Sequence, residues 1–251
     1  MNAKKNTKTS AKTNALVFKN VSHNYYESYG EDKVLADISF EVKEGEFVSI
    51  VGPSGCGKTT ILSIASGLLK QTGGEVLTQE QGYMFQKDLL FPWRTVYQNV
   101  ILGLEIKKIL TPETAKYADQ LIEKYGLKEF RNAKPAQLSG GMRQRVALIR
   151  TLVLKPKILL LDEPFSALDW GTRLAVIDDV YRIIKSAGLT AMLVTHDAEE
   201  AASLSDKIVR LTARPSTVRE VISLTQNPDE TPSMRREKHE VQALARSLNS
   251  V

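Results

Sequence analysis

The stretch Gly52-Pro53-Ser54-Gly55-Cys56-Gly57-Lys58-Thr59-Thr60 constrains this chain more than any other. It matches the phosphate-binding loop pattern G-x-x-x-x-G-K-[ST] in full, and the apolar run Phe47-Val48-Ser49-Ile50-Val51 leads into it as a strand. A polyphosphate is densely charged, and backbone N–H groups are the donors that can be packed closely enough to surround it. Glycines let the loop approach without Cβ clashes, and a helix opening near Lys58 aims its unpaired N–H groups at the same anion. In this arrangement Lys58 reaches the β- and γ-phosphates and Thr59 holds Mg²⁺ through its hydroxyl. Nucleotide binding is the expectation.

The rest of the composition limits the setting. With 251 residues, 42% hydrophobic and 25% charged, the chain can bury one sizeable core. No stretch approaches the ~18 uninterrupted apolar residues of a membrane span, and the opening residues lack the apolar core of a secretory signal, so a soluble, cytosolic chain is expected. The net charge of +5 owes four charges to Lys4, Lys5, Lys8 and Lys12, which have no acid among them in residues 1–15; without them it is +1. The basic balance is therefore a polar tail, expected to be disordered, and not a nucleic-acid groove. The lone Cys56 cannot form an internal disulfide, and its place in the loop makes it a thiol reporter of nucleotide occupancy.

Along the chain, an ordered domain over 16–225 is expected, then a helical extension over 226–251. Leu16 to Val21 reads as a first strand, followed by a polar loop with Tyr25, Tyr26 and Tyr29, and Val34 to Val42 reads as a second strand. Lys58 to Leu69 is expected to be helical and Gly82 to Phe85 a short strand. From 87 to about 150 the pattern is that of a helical insertion: Phe91-Pro92-Trp93 breaks the chain, a segment starts near Val96, and Thr111-Pro112 opens a helix. Strand Ile158 to Leu161, helix Arg173 to Ser186 and strand Ala191 to Val194 resume the α/β pattern. Met234, Val241, Leu244 and Leu248 fall on one helical face, which the domain itself can cover.

Four of the expected strands end at polar groups: the loop after Val51, Gln86, Asp162-Glu163 and His196. In a parallel sheet these ends share the edge where ligands bind. The run Ile158-Leu159-Leu160-Leu161 is that of a strand buried on both faces, and the paired acids after it are either an acidic turn or, beside a phosphate loop, a Mg²⁺ ligand (Asp162) and a general base (Glu163). Leu138-Ser139-Gly140-Gly141-Met142 opens another helix. Its bare amides suit a phosphate, but with one anion site already present a glycine-rich cap is the plainer reading.

Taken together, the phosphate loop, Gln86, LSGGM, ILLLDEP, the SALD segment Ser166 to Asp169 and His196 resemble the ATP-binding-cassette ATPases in order and spacing, over about Leu16 to Leu224. The resemblance implies an α/β fold with a P-loop NTPase core and mostly parallel sheet, an antiparallel β subdomain and a helical insertion subdomain. It implies ATP with Mg²⁺, and a head-to-tail homodimer in which each ATP lies between one subunit's loop (Gly52, Pro53, Ser54, Gly55, Cys56, Gly57, Lys58, Thr59, Thr60) and the other's signature. By that likeness Ser139, Gly140 and Gly141 contact the partner's nucleotide, Asp169 crosses the interface, and Gln86 binds Mg²⁺ and senses a membrane subunit. His196 holds the γ-phosphate and the attacking water, and Tyr25, or else Tyr26, stacks on adenine.

There are departures from the family pattern. Met142 stands where the signature commonly has Gln, and the short interval from Lys58 to Gln86 implies a trimmed antiparallel sheet. The segments Phe91-Pro92-Trp93-Arg94-Thr95-Val96 with Asn99-Val100, and Ser139-Gly140-Gly141-Met142-Arg143-Gln144-Arg145, most resemble the nitrate, sulfonate and taurine importers, a group that includes importers of thiamine precursors and riboflavin-like compounds. That implies a peripheral protein on the cytoplasmic face of the membrane, working with permease subunits and a separate substrate-binding protein, and no nucleic acid. Rival readings are a soluble ATPase of the same family acting on nucleic acid or ribosomes, and a regulatory module that binds nucleotide without turnover. Leu89, Leu90, Phe91 and Trp93 make an apolar cluster that either docks the permease or fills the insertion's own core.

Overall fold

The computed structural model describes residues 13–27, 30–166 and 168–249. Most of the basic tail and Tyr29 lie outside these residues. The expected tail over 1–15 overlaps the first strand, β1 (Asn14–Glu27), where Ala15 is already buried. β1 pairs antiparallel with β2 (Gly30–Lys43), whose buried Ile38, Phe40 and Val42 alternate with exposed residues. Phe18 and Phe40, opposite each other, stack at 4.8 Å between ring centroids. Tyr25 and Tyr26 therefore lie in a strand, paired with Asp32 and Glu31, and not in a loop.

β3 (Phe47–Val51), buried at every position, leads into α1 (Lys58–Ala65). The helix stops short of Leu69 because Gly67 takes a left-handed φ of 74°. β4 (Gly73–Thr78) then returns to β1, so the antiparallel sheet has the order β2-β1-β4, and between Lys58 and Gln86 it receives only this one strand. β5 (Gln81–Met84) enters the second sheet.

Two short helices, α2 (Val96–Val100) and α3 (Leu102–Ile106), and two longer ones, α4 (Pro112–Lys124) and α5 (Gly140–Leu152), follow. Thr111 caps α4 by accepting from Thr114 N at 3.3 Å. Fully buried Asn99 ties down the bend before α2: its Nδ2 donates to the carbonyls of Phe91, Arg94 and Thr95, and its Oδ1 accepts from Phe91 N at 2.8 Å. The bend divides the apolar cluster. Leu90 is buried in the core, whereas Leu89, Phe91 and Trp93 are exposed.

β6 (Ile158–Asp162), α6 (Trp170–Ser186) and β7 (Thr190–Val194) complete the anticipated α/β pattern. α7 (Ala198–Leu204), β8 (Lys207–Leu211) and β9 (Val218–Ser223) were not anticipated. The main sheet runs β5-β6-β7-β3-β8-β9, parallel except for β9. The apolar run of β6 divides between two cores: Leu159 and Leu161 join the helices α2 to α6, and Ile158 and Leu160 join α1 and the antiparallel sheet. This is a P-loop NTPase fold, and β3 is its switch point: the chain crosses to β5 on one side and later returns to β8 on the other.

The C-terminal extension is two helices, α8 (Pro232–Arg236) and α9 (His239–Asn249). The break between them takes Met234 off the expected face, and it is exposed on α8. Leu244 and Leu248 of α9 pack with Val51, Ala201 and Ile208. Among the described residues no helix is long and apolar enough to cross a membrane.

Candidate nucleotide site

The C-terminal ends of β5, β6, β7 and β3 lie side by side, so Gln86, Asp162-Glu163, His196 and the loop after Val51 share one edge. In the loop, Gly57 is the residue before α1, with φ 100° and no side-chain cap. A Cβ there would fall 2.7 Å from Val34 Cγ1 and 2.8 Å from Leu35 Cδ2, so both backbone and neighbours require glycine. Left-handed Gly55 has open space around it. The amides at the start of α1 thus have no side-chain cap and follow a tip with open space at Gly55, which fits a phosphate.

Lys58 is buried and its Nζ donates to the carbonyls of Gly52 at 2.9 Å and Pro53 at 3.0 Å, which holds the ammonium across the loop. Cys56 turns into the core with Val34 and Leu35 around it. Its Sγ lies 4.0 Å from Lys58 Nζ, but at 1% exposure the thiol is closed to reagents, and the expected reporter role is withdrawn for that reason. Ser54 and Gly55 lie at the loop's tip.

Thr59 Oγ1 donates to Asp162 Oδ1 at 3.3 Å, and Tyr83 Oη donates to Asp162 Oδ2 at 3.0 Å. Burial pushes the Asp162 carboxyl up from its ordinary range against the pull of these two hydrogen bonds. Burial and the facing carboxylate push the Tyr83 phenol well up, so it stays a donor. A desolvated carboxylate beside a threonine hydroxyl suits a hard cation. Among the described residues no group of three His, Cys, Asp or Glu side chains could hold one alone.

Glu163 has φ 43°, uncommon for a residue with a Cβ, while its N–H donates to Val194 O at 2.9 Å. Its Oε2 accepts from Gln86 Nε2 at 3.3 Å and lies 3.1 Å from His196 Nδ1. Gln86 also donates to Ser166 Oγ at 3.1 Å, and Ser166 Oγ donates to Glu163 O at 2.9 Å. Three strand ends therefore meet on one carboxylate. Thr60 Oγ1 and Tyr25 Oη are 3.3 Å apart, and the Tyr25 ring stands edge-on to His23 at 4.7 Å. Tyr26 instead bonds Glu31 at 3.4 Å and is largely exposed, so Tyr25 is the tyrosine tied to the phosphate-loop helix.

Ser139, Gly140, Gly141 and Asp169 are not part of this cluster of contacts. Ser139 Oγ accepts from Met142 N at 3.3 Å and caps α5. A Cβ on Gly141 would fall 2.7 Å from Val176 Cγ2, so close packing of α5 on α6 is one reason for that glycine. Asp169 Oδ1 accepts from Thr172 N at 3.0 Å, and that bond holds the exposed carboxyl below its usual range. α5 is nevertheless linked to the Gln86 strand end: Arg143 Nε donates to Asp88 Oδ2 at 3.0 Å, and Arg150 donates to the carbonyls of Asp88 and Leu89.

Sequence reasoning missed Tyr83, the serine bridge at Ser166, and the ionic groups behind His196. Tyr83 had a signal: on β5 it pairs with Leu160, two residues before Asp162 and hence on the same face.

Residues 35–166 match the family model for ABC transporters. The chain is 44% identical over 213 residues to an uncharacterized ABC transporter ATP-binding protein, YtlC, of Bacillus subtilis, covering 81% of this chain and 82% of that protein. It is 43% identical to the aliphatic sulfonates import ATP-binding protein SsuB of Bacillus licheniformis, over 75% of this chain and 76% of that one. The dimeric post-hydrolysis structure of the ATP-binding cassette MJ0796 with ADP and Pi superposes with a TM-score of 0.69 at 32% identity, over 84% of this chain and all of that one.

Proposed function

The chain belongs to the ABC transporter family, and from that premise we propose that it is the ATP-hydrolysing subunit of an importer, working as a homodimer on the cytoplasmic face of a membrane. The observation that supports turnover, beyond binding, is the Glu163 carboxylate within reach of both Gln86 and His196, beside the Thr59–Asp162 pair.

In this reading the amides of Gly55 to Thr60 surround the β-phosphate, and Lys58 exchanges its bonds to Gly52 O and Pro53 O for phosphate oxygens. Thr59, Asp162 and Gln86 would hold Mg²⁺, which would supply positive charge against the phosphates. Glu163 takes the proton of the attacking water, and His196 orients that water and the γ-phosphate. Tyr25 stacks on adenine. Ser139, Gly140 and Gly141 present their amides and hydroxyl to the nucleotide of the second copy, and Asp169 lies at the shared interface.

The exposed Leu89, Phe91 and Trp93 dock the permease. The Asp88–Arg143 and Arg150 contacts then join that surface to the signature helix. In this reading the solute is a small one of the nitrate, sulfonate, taurine or thiamine-precursor type, delivered by a separate binding protein; the likeness to SsuB supports the sulfonate member of that group.

Glu163→Gln tests the reading. It keeps shape and hydrogen bonding but removes the base, so ATP binding stays while hydrolysis falls by about 10² or more, and an ATP-bound dimer accumulates. Turnover within a few-fold of wild type removes Glu163 from the role.

A further inference from the structure

His196 side-chain position rests on very little of its own: the ring is 61% exposed and touches Glu163. What sets it is the backbone on either side. Thr195 Oγ1 donates to Glu200 Oε2 at 2.7 Å and accepts from Asp197 N at 3.0 Å, which closes the turn around His196. Asp197 Oδ1 caps α7, accepting from Glu199 N at 2.9 Å and Glu200 N at 3.0 Å. Its other oxygen, Oδ2, receives two guanidinium groups: Arg173 of α6 at 3.2 Å and Arg236 of α8 at 3.3 Å. Arg173 also bonds Glu200, and Arg236 bonds Glu199 at 2.5 Å.

Asp197, Arg173 and Arg236 are only 17%, 16% and 11% exposed at their side chains. Ion pairs so withdrawn from water hold geometry far better than surface pairs, and removing one partner leaves the other charge stranded. Arg173 comes from the core domain, but Arg236 comes from the C-terminal extension. The neighbouring Arg235 also anchors α8, as does Ser233 N, which donates to Asp178 Oδ1 of α6 at 2.9 Å. Arg235 is fully buried, donates to Ser203 O at 3.1 Å and Asn227 O at 2.7 Å, and lies 4.9 Å from the Tyr181 ring. Arg236 is therefore one of several ties between α8 and the core domain. The far end of the extension reaches the same region: Leu248 and Asn249 of α9 line a cleft of about 350 Å³ together with Gly52, Pro53 and His196.

We propose that Arg236 is a positioning residue for His196, so that the C-terminal extension, by pulling on Asp197, sets how His196 meets Glu163 and the attacking water. The proposal rests on the role given to His196 above. It makes the extension part of the hydrolytic apparatus, and any displacement of α8 would slow turnover without touching the nucleotide.

The test is a mutant cycle in the full-length chain read by steady-state phosphate release over a range of ATP concentrations, with single-turnover release for the slowest variants. Arg236→Ala should lower kcat by about 3- to 30-fold with KM for ATP little changed, the size expected when a residue acts through another. Arg236→Lys, which keeps a cation near Asp197, should recover most of the loss. In a His196→Ala background, Arg236→Ala should cause no further loss. Near-normal turnover of His196→Ala would remove the role of His196 and this proposal with it. A slow His196→Ala beside a normal Arg236→Ala overturns the proposal alone. Equal losses in both backgrounds, or a loss with a matching rise in KM and fall in melting temperature that lysine does not rescue, assign Arg236 to the fold only. Should Arg236→Ala not fold, Asp197→Asn takes its place, keeping the α7 cap and weakening the ion pair; normal turnover there overturns the proposal.

Discussion

The starts of α1 and α5 are both glycine-rich helix ends, and they are built for different neighbours. At α1, left-handed Gly57 leaves the first amides uncapped, and Lys58, Thr59 and Asp162 stand around them. At α5, Ser139 spends its hydroxyl on Met142 N, and the residues nearest the glycines are Leu168, Arg143, Val176 and Thr172. One end therefore has donors, a lysine held on loop carbonyls and a carboxylate beside a hydroxyl in a single chain, whereas at the other the nearby cation, Arg143, is already paired with Asp88. A helix end of the second kind serves a nucleotide only when another molecule brings it, which is the physical basis for reading the two as halves of a site shared by two copies.

The largest effect comes from breaking each end separately. Lys58→Ala removes the charge at α1 and should lower turnover by about 10² or more, and Ser139→Arg should do likewise by filling the space at α5. Mixed dimers of the two variants concentrate both lesions at one site and leave the other intact, so ATPase activity partly returns. Normal activity of Ser139→Arg alone would end the shared-site reading.

The glycines sharpen the contrast at the level of stability. Gly57→Ala meets both an unfavourable backbone and a contact at 2.7 Å, and should destabilise by roughly 3 kcal/mol. Gly141→Ala meets crowding from Val176 without a backbone penalty, and should cost about 1–2 kcal/mol in urea denaturation. The reverse order would mean that α5 is the more constrained end.

Asp162 distinguishes the ends electrostatically. Because burial raises its pKa in the folded chain, the folded state holds that proton more readily than the unfolded one. Stability without nucleotide therefore falls as pH rises from the ordinary carboxylate value through the raised one. Asp162→Asn should melt at or slightly above wild type at pH 7, with the gap closing at pH 4, while its ATPase activity is lost. A variant that melts lower at pH 7 would show that hydrogen bonds from Tyr83 and Thr59 outweigh burial.

The smallest effect on the isolated protein is expected beside α5. Trp93 is 67% exposed, so Trp93→Ala should change folding stability by no more than about 0.5 kcal/mol and leave basal turnover alone, yet abolish assembly with the permease. Loss of basal activity in step with stability would assign the residue to the core. Leu90 cannot serve this test, because it is already core.

Much of the candidate site was legible because the proposed chemistry demands fixed residue types at fixed spacing. The phosphate loop, Asp162, Glu163, Gln86 and His196 all follow strands whose apolar runs are visible, and parallel pairing brings their ends together. Tyr83 and Ser166 were not seen, since a phenol or hydroxyl gains its role only from the side chain opposite it. β8 and β9 escaped because Arg210 and Glu220 interrupt the apolar pattern and pair with each other across the strands at 2.9 Å. In the C-terminal helices, spacing alone put Met234 on a face that the chain break removes.

By itself, then, the sequence determined the phosphate loop, the order of the strand ends on one sheet edge, and the buried nature of β6, because each of these is local: a turn geometry, a periodicity, a run of apolar residues. Tertiary structure decided what depends on residues far apart in the chain: that Cys56 faces the core, that Tyr25 and not Tyr26 meets α1, that Trp93 is exposed while Leu90 is not, and that Arg173 and Arg236 converge on Asp197. Those outcomes follow from packing and from the pairing of charges across elements, and neither leaves a periodic trace in the chain.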